Sequence, residues 1–244
     1  MNAVSDTSGF PTHPNEPHHP ENRAGRLNRL RAGVLGANDG IVSTAGLVVG
    51  VAGASSDRST ILTAAVAGLV SGAVSMALGE YVSVSSQRDS ERTLLAQERR
   101  ELETDPEAEL AELAELYREK GLSEATARQV AQELSSRDAF AAHADAELHI
   151  DPDELTSPWA AAGSSAVSFT LGALLPTLAI VLPSRPLRVP LTFLVVLLAL
   201  ALTGGISATV GGSGRRRAIA RVVGGGALAM VVTYAVGSLV GTQM

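Results

Sequence analysis

The chain has 244 residues, of which 45% are hydrophobic and only 3% aromatic, and its formal net charge is −6. It contains no cysteine, which excludes disulfide bonds, thiolate metal sites and thiol nucleophiles. Residues 98–154 hold 17 of the 25 acidic and 6 of the 19 basic side chains, so this segment has a net charge of −11 and the remainder +5. The composition therefore indicates an acidic segment within an otherwise apolar, basic chain.

The first 22 residues are polar and lack the basic and apolar regions of a cleavable signal peptide. We predict a disordered tail over residues 1–25. Its histidines, His13, His18 and His19, offer a second interpretation as metal scavengers.

Five segments are long and apolar enough to cross a bilayer, which takes about 20 residues. We predict an all-α membrane protein with five transmembrane helices per protomer. The predicted spans are near 32–54, 60–86, 158–183, 187–210 and 215–241. Helices 1–2 fall within residues 26–92 and helices 3–5 within residues 155–244.

The acidic stretch, residues 93–154, is predicted to form a three-helix cytosolic insert between transmembrane helices 2 and 3. The second membrane helix meets no breaker before Pro106, and Gly121 followed by Ser123 marks another helix boundary. We expect helices near 107–120 and 123–149. Their apolar stripe is predicted from Leu102, Leu110, Leu113, Leu116, Leu122, Val130, Leu134 and Phe140.

Basic residues near membrane ends predict the orientation, because cytoplasmic flanks are enriched in Lys and Arg. Three arginine clusters fall on one side of a five-pass topology, against two arginines, Arg185 and Arg188, on the other. The N-terminus and the acidic segment are therefore predicted to be cytoplasmic. The clusters are Arg23, Arg26, Arg29 and Arg31; Arg88, Arg92, Arg99 and Arg100; and Arg215, Arg216, Arg217 and Arg221.

Two acids lie inside predicted membrane helices, Asp39 and Glu80, and Met76 lies one turn from Glu80. A charge at such a depth costs about 2.5–3.5 kcal/mol on insertion scales. We expect both carboxylates at similar depth, facing a polar path that binds a cation or a proton. The alternative is a pair of buried acids bonded to backbone or hydroxyl groups of neighbouring helices.

Gly68, Gly72, Met76 and Glu80 follow one another at four-residue spacing, so one helix side combines small residues with ligands. A thioether is a soft ligand that favours transition metals over Mg²⁺ or Ca²⁺. Taken alone, Met76 also fits simple core packing.

Carboxylates recur on single helical faces in the acidic segment. Glu98 and Glu101 are three residues apart, as are Glu109 and Glu112, while His143 and Glu147 are four apart. A divalent cation bridging such pairs would relieve their repulsion. Helical bundles that present several Glu and a His bind iron, although a solvated acidic face explains the same pattern.

Two motifs carry a resemblance to a known family: LGANDGIVST in the first membrane helix and SMALGEYVSVSSQRDSE at the end of the second. With the acidic insert and three further membrane helices, the chain resembles the vacuolar iron transporter family over roughly residues 26–241. The resemblance implies a proton-coupled exporter of Fe²⁺, and in some members Mn²⁺, that works as a homodimer with the ion path between subunits.

By the same resemblance, Asp39 and Met76 are path ligands and Glu80 is the acid near the cytoplasmic mouth. The implied metal ligands of the cytosolic domain are Glu98, Glu101, Glu109, Glu112, His143 and Glu147. His143 stands where the family commonly has Met, and imidazole is a competent ligand for Fe²⁺ and binds Zn²⁺ well. The sequence does not decide between Fe²⁺, Mn²⁺, Co²⁺ and Zn²⁺ as the transported ion.

The sequence thus predicts a membrane transporter for divalent metal ions, in a bacterial plasma membrane by comparison with bacterial homologues. It shows no paired nucleophile and general base and no phosphate-binding loop. It does not indicate an enzyme or a nucleic-acid partner. The competing hypothesis is a membrane-anchored metal buffer or sensor without transport, which leaves Asp39, Met76 and Glu80 unexplained.

Overall fold

The structure is a computed structural model that describes residues 23–153, 155–212 and 214–242, with side chains described from Gly33 onward except at residue 210. Residues 1–22 of the predicted tail, including its three histidines, lie outside these ranges. The described helices are α1 (Arg23–Ala54), α2 (Arg58–Thr104), α3 (Pro106–Glu119), α4 (Glu124–His143), α5 (Pro158–Val181), α6 (Arg188–Val210) and α7 (Arg215–Gly241).

A π-helical segment, Ala144–Leu148, follows α4, and a 3-10 turn, Arg185–Leu187, precedes α6. The described ranges contain no strand. Five helices among them are long and apolar enough to span a membrane: α1, α2, α5, α6 and α7. The predicted all-α class and the five membrane-length helices are confirmed.

Helix α1 is the centre of the bundle and contacts α2, α5, α6 and α7. Its core residues Ile41, Ala45, Val48 and Val49 are almost completely buried. They pack into one cluster with residues of the surrounding helices, namely Ile61, Ala65, Ile180, Val196, Ala199, Leu200 and Met230. These apolar contacts thus fix the position of α1 among its neighbouring helices.

Glycine allows α1 to approach two helices at backbone distance. A Cβ atom at Gly40 would overlap the carbonyl oxygen of Phe169 in α5, and one at Gly237 of α7 would overlap the carbonyl oxygen of Gly50. A rotamer change relieves neither overlap, because the obstructing atoms are backbone. Close approach through small residues is how membrane helices gain packing energy without a hydrophobic driving force between them.

Helix α2 has 47 residues and is therefore about 70 Å long at 1.5 Å per residue. The hydrocarbon core of a bilayer is about 30 Å thick, so a long C-terminal part of α2 extends beyond it. Asp105 ends this helix and starts the next, since its carboxylate accepts a hydrogen bond from the Ala108 N–H at 3.1 Å.

Helices α3 and α4 contact each other and α2. Their core is formed by Leu113 with two alanines, Ala131 and Ala146. The predicted leucine stripe is only partly buried, and Leu122 is exposed. Alanines thus carry more of this core than the predicted stripe indicated.

Candidate metal sites

A groove among α1, α2 and α5 brings Asp39 and Met76 together. The cavity has a volume of about 340 Å³. Its lining residues are Asp39, Ser43, Thr44, Leu47, Gly68, Ser71, Gly72, Ser75, Met76 and Phe169. One carboxylate, one thioether and four hydroxyl groups thus face an opening between apolar helices, and such a donor set suits a divalent transition-metal ion.

Two glycines of α2 allow side chains of α1 and α5 to pack closely against α2 along this groove. Gly68 lies against the side chain of Leu47, and Gly72 lies against the ring of Phe169, which is 2% exposed. A side chain at either glycine would collide with these groups. The four-residue glycine ladder therefore faces the groove, as its spacing suggested.

Glu80 is not among the residues that line the groove. The two acids therefore do not line one groove, and their similar depth in the membrane stays a prediction.

Glu80 lies next to an aromatic pair that is typical of a membrane interface. The rings of Tyr81 and Trp159 have centroids 4.6 Å apart, and Trp159 is 75% exposed. Tyrosine and tryptophan are enriched at the level of lipid headgroups. This location agrees with a carboxylate near the mouth of a path rather than in its middle.

A second cluster lies on the extension of α2, where Glu98, Glu109 and His143 converge from three helices. Nδ1 of His143 is 3.0 Å from Oε1 of Glu98 and 3.7 Å from Oε2 of Glu109. One potential ligand atom from each residue lies within 4.8 Å of the others. Ligands bound to one metal ion at about 2.1 Å are about 3.0–3.4 Å apart in octahedral or tetrahedral geometry, so these separations are near those of a metal site.

All three residues are buried: His143 is 0%, Glu98 2% and Glu109 8% exposed. Despite the 3.0 Å separation, neither His143 Nδ1 nor Glu98 Oε1 has a hydrogen-bond partner among the described residues. Buried polar groups normally have partners. The geometry of this cluster is therefore better suited to a shared cation than to direct hydrogen bonds.

Burial shifts the pKa values of all three groups toward their neutral forms. It raises the pKa of Glu98 to about 7, with the nearby carboxylates of Glu147 and Glu109 adding to the effect. The pKa of Glu109 is also raised, first by burial and then by Glu112. Burial lowers the pKa of His143, and this outweighs the opposite effect of nearby carboxylates. A bound cation would favour the two ionised carboxylates.

The remaining predicted ligands surround this buried cluster. Oε2 of Glu147 lies 3.9 Å from Nδ1 of His143, and its side chain is 32% exposed. Glu101 and Glu112 are exposed, and Glu101 accepts a hydrogen bond from Gln97 at 3.0 Å. The structure thus brings three of the six residues into one buried group, places Glu147 beside it, and leaves two carboxylates at the solvent side.

Helix α4 is not the continuous helix predicted over 123–149. Asp138 has non-helical dihedral angles of −160° and 97°, and its carboxylate accepts a hydrogen bond from the Ala141 N–H at 2.9 Å. A π-helical segment follows at Ala144–Leu148, and His149 adopts a left-handed conformation with φ 54°. The break redirects the short segment that carries His143 and Glu147 toward α2 and α3.

Neither Asp138 nor Thr44 was expected at these sites from the sequence. Asp138 is an N-cap residue type in a segment of otherwise helical composition, which was the available signal. Thr44 is the last residue of the LGANDGIVST motif, five residues after Asp39. Thr44 was missed because its place in the groove depends on how α1, α2 and α5 pack together.

Comparison with known proteins shows the family of this chain. A family model described as the VIT family matches residues 30–238. The vacuolar iron transporter of Acanthamoeba castellanii is 44% identical over 216 residues, covering 88% of this chain and 80% of that protein. Vacuolar iron transporter homolog 1 of Arabidopsis thaliana is 34% identical over 219 residues, covering 89% and 86%.

A third relative is vacuolar iron transporter homolog 1 of Oryza sativa subsp. japonica. It is 38% identical over 222 residues, which cover 90% of this chain and 77% of the relative. The matches include the membrane helices and the acidic segment between them. The chain is therefore an integral membrane protein that belongs to the VIT family.

Proposed function

We propose that this protein exports Fe²⁺ from the cytosol in exchange for protons, with Mn²⁺ as a second cargo. The names of its relatives support iron as the transported ion. The observation that carries the proposal is the groove in which Asp39 and Met76 meet between α1, α2 and α5. A carboxylate with a thioether binds Fe²⁺ and, when the ion leaves, the carboxylate can accept a proton.

The buried cluster of Glu98, Glu109 and His143 captures the ion before it enters the membrane. Its carboxylates exchange a proton for a cation near neutral pH, because the pKa of Glu98 is about 7. Glu101, Glu112 and Glu147 attract cations to its solvent side. The ion then passes Glu80 near the interface and reaches Met76 and Asp39.

The working unit is a homodimer with the N-terminus and the acidic helices α3 and α4 in the cytosol. Small and hydroxyl-bearing residues of α2, including exposed Ser71 and Ser75, line a groove that is open at its side. A second subunit would cover that side. The arginine clusters at the ends of the membrane spans support the orientation, and a plasma membrane of a bacterial cell suits export out of the cytosol.

Flux through the groove is tested with Asp39→Asn in proteoliposomes that carry an imposed pH gradient. Loss of the carboxylate should abolish Fe²⁺ uptake and the accompanying proton movement. Asp89→Asn is the matched control, since Asp89 is exposed on α2 and does not line the groove. Fe²⁺ flux of Asp39→Asn equal to that of the unchanged protein would reject this path.

Capture by the buried cluster is tested with Glu98→Gln and titration of Mn²⁺, which does not oxidise readily, into purified protein. Removing one charged ligand should weaken binding by at least about tenfold, or about 1.4 kcal/mol. Glu103→Gln is the control, because Glu103 is exposed on the same helix. Equal affinities of the two variants would remove the cluster from the pathway.

A membrane-anchored metal buffer is the second candidate function. It is favoured by the separation of the buried cluster from the groove, since α3 and α4 contact no described membrane helix other than α2. A buffer would bind Mn²⁺ through Glu98 but show no metal flux in sealed proteoliposomes.

A further inference from the structure

Thr44 has a buried hydroxyl group that faces the groove without a hydrogen bond. The residue is 2% exposed and lines the same cavity as Asp39 and Met76. Its Oγ1 has no hydrogen-bond partner in the part of the chain that the structure describes. A buried hydroxyl without a partner costs free energy, so the position of this group requires a reason.

Other threonines of the membrane helices satisfy their hydroxyl groups locally. Five of them donate a hydrogen bond to the carbonyl oxygen four residues earlier: Thr170, Thr177, Thr192, Thr209 and Thr233. This bond is one of two side-chain arrangements that threonine adopts in helices. Thr44 does not donate the corresponding hydrogen bond to the carbonyl oxygen of Gly40, so its hydroxyl oxygen is available to another partner.

We propose that the Thr44 hydroxyl is the next ligand for a cation that leaves Asp39 and Met76 in the outward direction. Thr44 lies five residues beyond Asp39 on α1, about 7.5 Å further along the helix axis. It also lies on the side away from Glu80, which is near the interface. The hydroxyl therefore provides the next oxygen ligand for an ion that leaves the carboxylate and thioether in the outward direction.

Leu47 lies beyond Thr44 along the groove. Its side chain lies over Gly68, where an added Cβ would overlap the Leu47 Cδ2 atom. An apolar side chain directly beyond Thr44 offers no ligand to the ion. Among the residues of α1 that line the groove, Thr44 is thus the last that carries an oxygen ligand, and Leu47 lies beyond it.

This inference rests on the proposed transport of Fe²⁺ through the groove, and both are tested by one assay. Fe²⁺ uptake is measured at several concentrations in proteoliposomes containing the unchanged protein, Thr44→Val, Thr44→Ser or Thr177→Val. Valine matches threonine in shape but has no hydroxyl. Thr44→Val should raise the KM for Fe²⁺ by about tenfold, while Thr44→Ser should stay within about twofold of the unchanged protein.

Thermal unfolding in detergent separates a ligand from a packing residue. Thr44→Val loses no hydrogen bond and should unfold at no lower temperature than the unchanged protein. Thr177→Val loses its bond to the Ala173 carbonyl, so it should unfold at a lower temperature but keep its KM.

The outcomes distinguish the two proposals. If the unchanged protein transports Fe²⁺ and Thr44→Val has the same KM, the ligand role of Thr44 is overturned and transport stands. An equal rise in KM for Thr44→Val and Thr44→Ser also overturns it, because serine keeps the hydroxyl. Absence of flux in the unchanged protein overturns the proposed function and this inference with it.

Discussion

At the scale of single residues, burial without compensating partners determines the chemistry of the acidic cluster. Glu98, Glu109 and His143 come from three helices and are each less than one-tenth exposed. Water cannot solvate their charged forms there, so the carboxyl pKa values rise and the imidazole pKa falls. Two carboxylates and one neutral imidazole then form a ligand set whose affinity for metal depends on protons.

Metal affinity of this cluster should increase with pH. A cation binds the ionised form of Glu98, whose pKa is about 7, so protons compete with the metal below that value. From this group alone, Mn²⁺ affinity should be about tenfold weaker at pH 6 than at pH 8. The raised pKa of Glu109 acts in the same direction.

Isothermal titration of Mn²⁺ into purified protein measures this effect. Titrations at pH 7 in buffers of different ionisation enthalpy should also show release of protons on binding. His143 contributes little to the release, because burial lowers its pKa and keeps the ring neutral. Equal Mn²⁺ affinity at pH 6 and pH 8 would contradict the assignment of Glu98 as a ligand.

At the scale of helices, breaks and close approaches position the site residues. Asp138 interrupts α4 and caps the segment that follows, which carries His143 and Glu147. Arg99 of α2 lies over the ring of Phe140 in the same segment, 4.5 Å from its centroid. Both contacts lie in the segment that presents His143 to the carboxylates of α2 and α3.

Asp138→Ala should reduce metal affinity through the loss of this cap. An N-cap substitution of this type costs about 1 kcal/mol of local helix stability, and the segment after Asp138 would lose its orientation. Ser123→Ala is the matched control, since Ser123 caps the start of α4 through a hydrogen bond from Thr126 at 3.3 Å. Mn²⁺ titration should show weaker binding only for Asp138→Ala.

Hydrogen exchange in α4 provides the structural readout for both variants. Exchange should increase after residue 138 in Asp138→Ala and near residue 124 in Ser123→Ala. Equal loss of Mn²⁺ affinity in the two variants would mean that overall stability of α4, rather than the break, controls the site.

Gly40→Ala should destabilise the membrane bundle. The added methyl group would overlap the Phe169 carbonyl oxygen, and separation of α1 from α5 should cost about 1–3 kcal/mol. Gly79→Ala is the control on α2, where nothing lies within 4 Å of the added Cβ, and alanine favours a helix by roughly 0.5–1 kcal/mol. In detergent, Gly40→Ala should have the lowest unfolding temperature. A higher unfolding temperature for Gly40→Ala than for Gly79→Ala would refute the close contact.

At the scale of the whole molecule, α2 connects the two candidate sites. Met76 and Glu98 lie 22 residues apart on one helix, which corresponds to about 33 Å. Within the described ranges, α3 and α4 contact the membrane bundle only through α2. The acidic helices and the groove are thus joined by a single long helix, and their sidedness depends on its orientation.

The absence of native cysteine allows a direct test of that orientation. Glu103→Cys on the acidic side and Ser184→Cys after α5 each introduce one exposed thiol. In intact cells, a membrane-impermeant maleimide should label Ser184→Cys, while Glu103→Cys should react only after the membrane is opened. Labelling of both positions from outside would exclude the proposed cytosolic location of α3 and α4.

Hydropathy and breaker residues were sufficient to predict the helices. Long apolar spans can be satisfied in a membrane only by internal backbone hydrogen bonds, and Pro106 and Ser123 marked the boundaries of α3 and α4 correctly. The prediction of one continuous helix over 123–149 was wrong, because Asp138 has non-helical dihedral angles and caps the segment that follows. The expected leucine stripe also failed in part, since Leu113 is buried whereas Leu122 is exposed.

The sequence by itself determined the helical membrane class and the residue types available as ligands, because both follow from local hydropathy and from periodicity along single helices. Only the tertiary structure decided that Asp39 meets Met76 in a groove that Glu80 does not line, and that Glu98, Glu109 and His143 form a buried group. These associations depend on the register and separation of helices, which are set by close contacts between residues far apart in the chain.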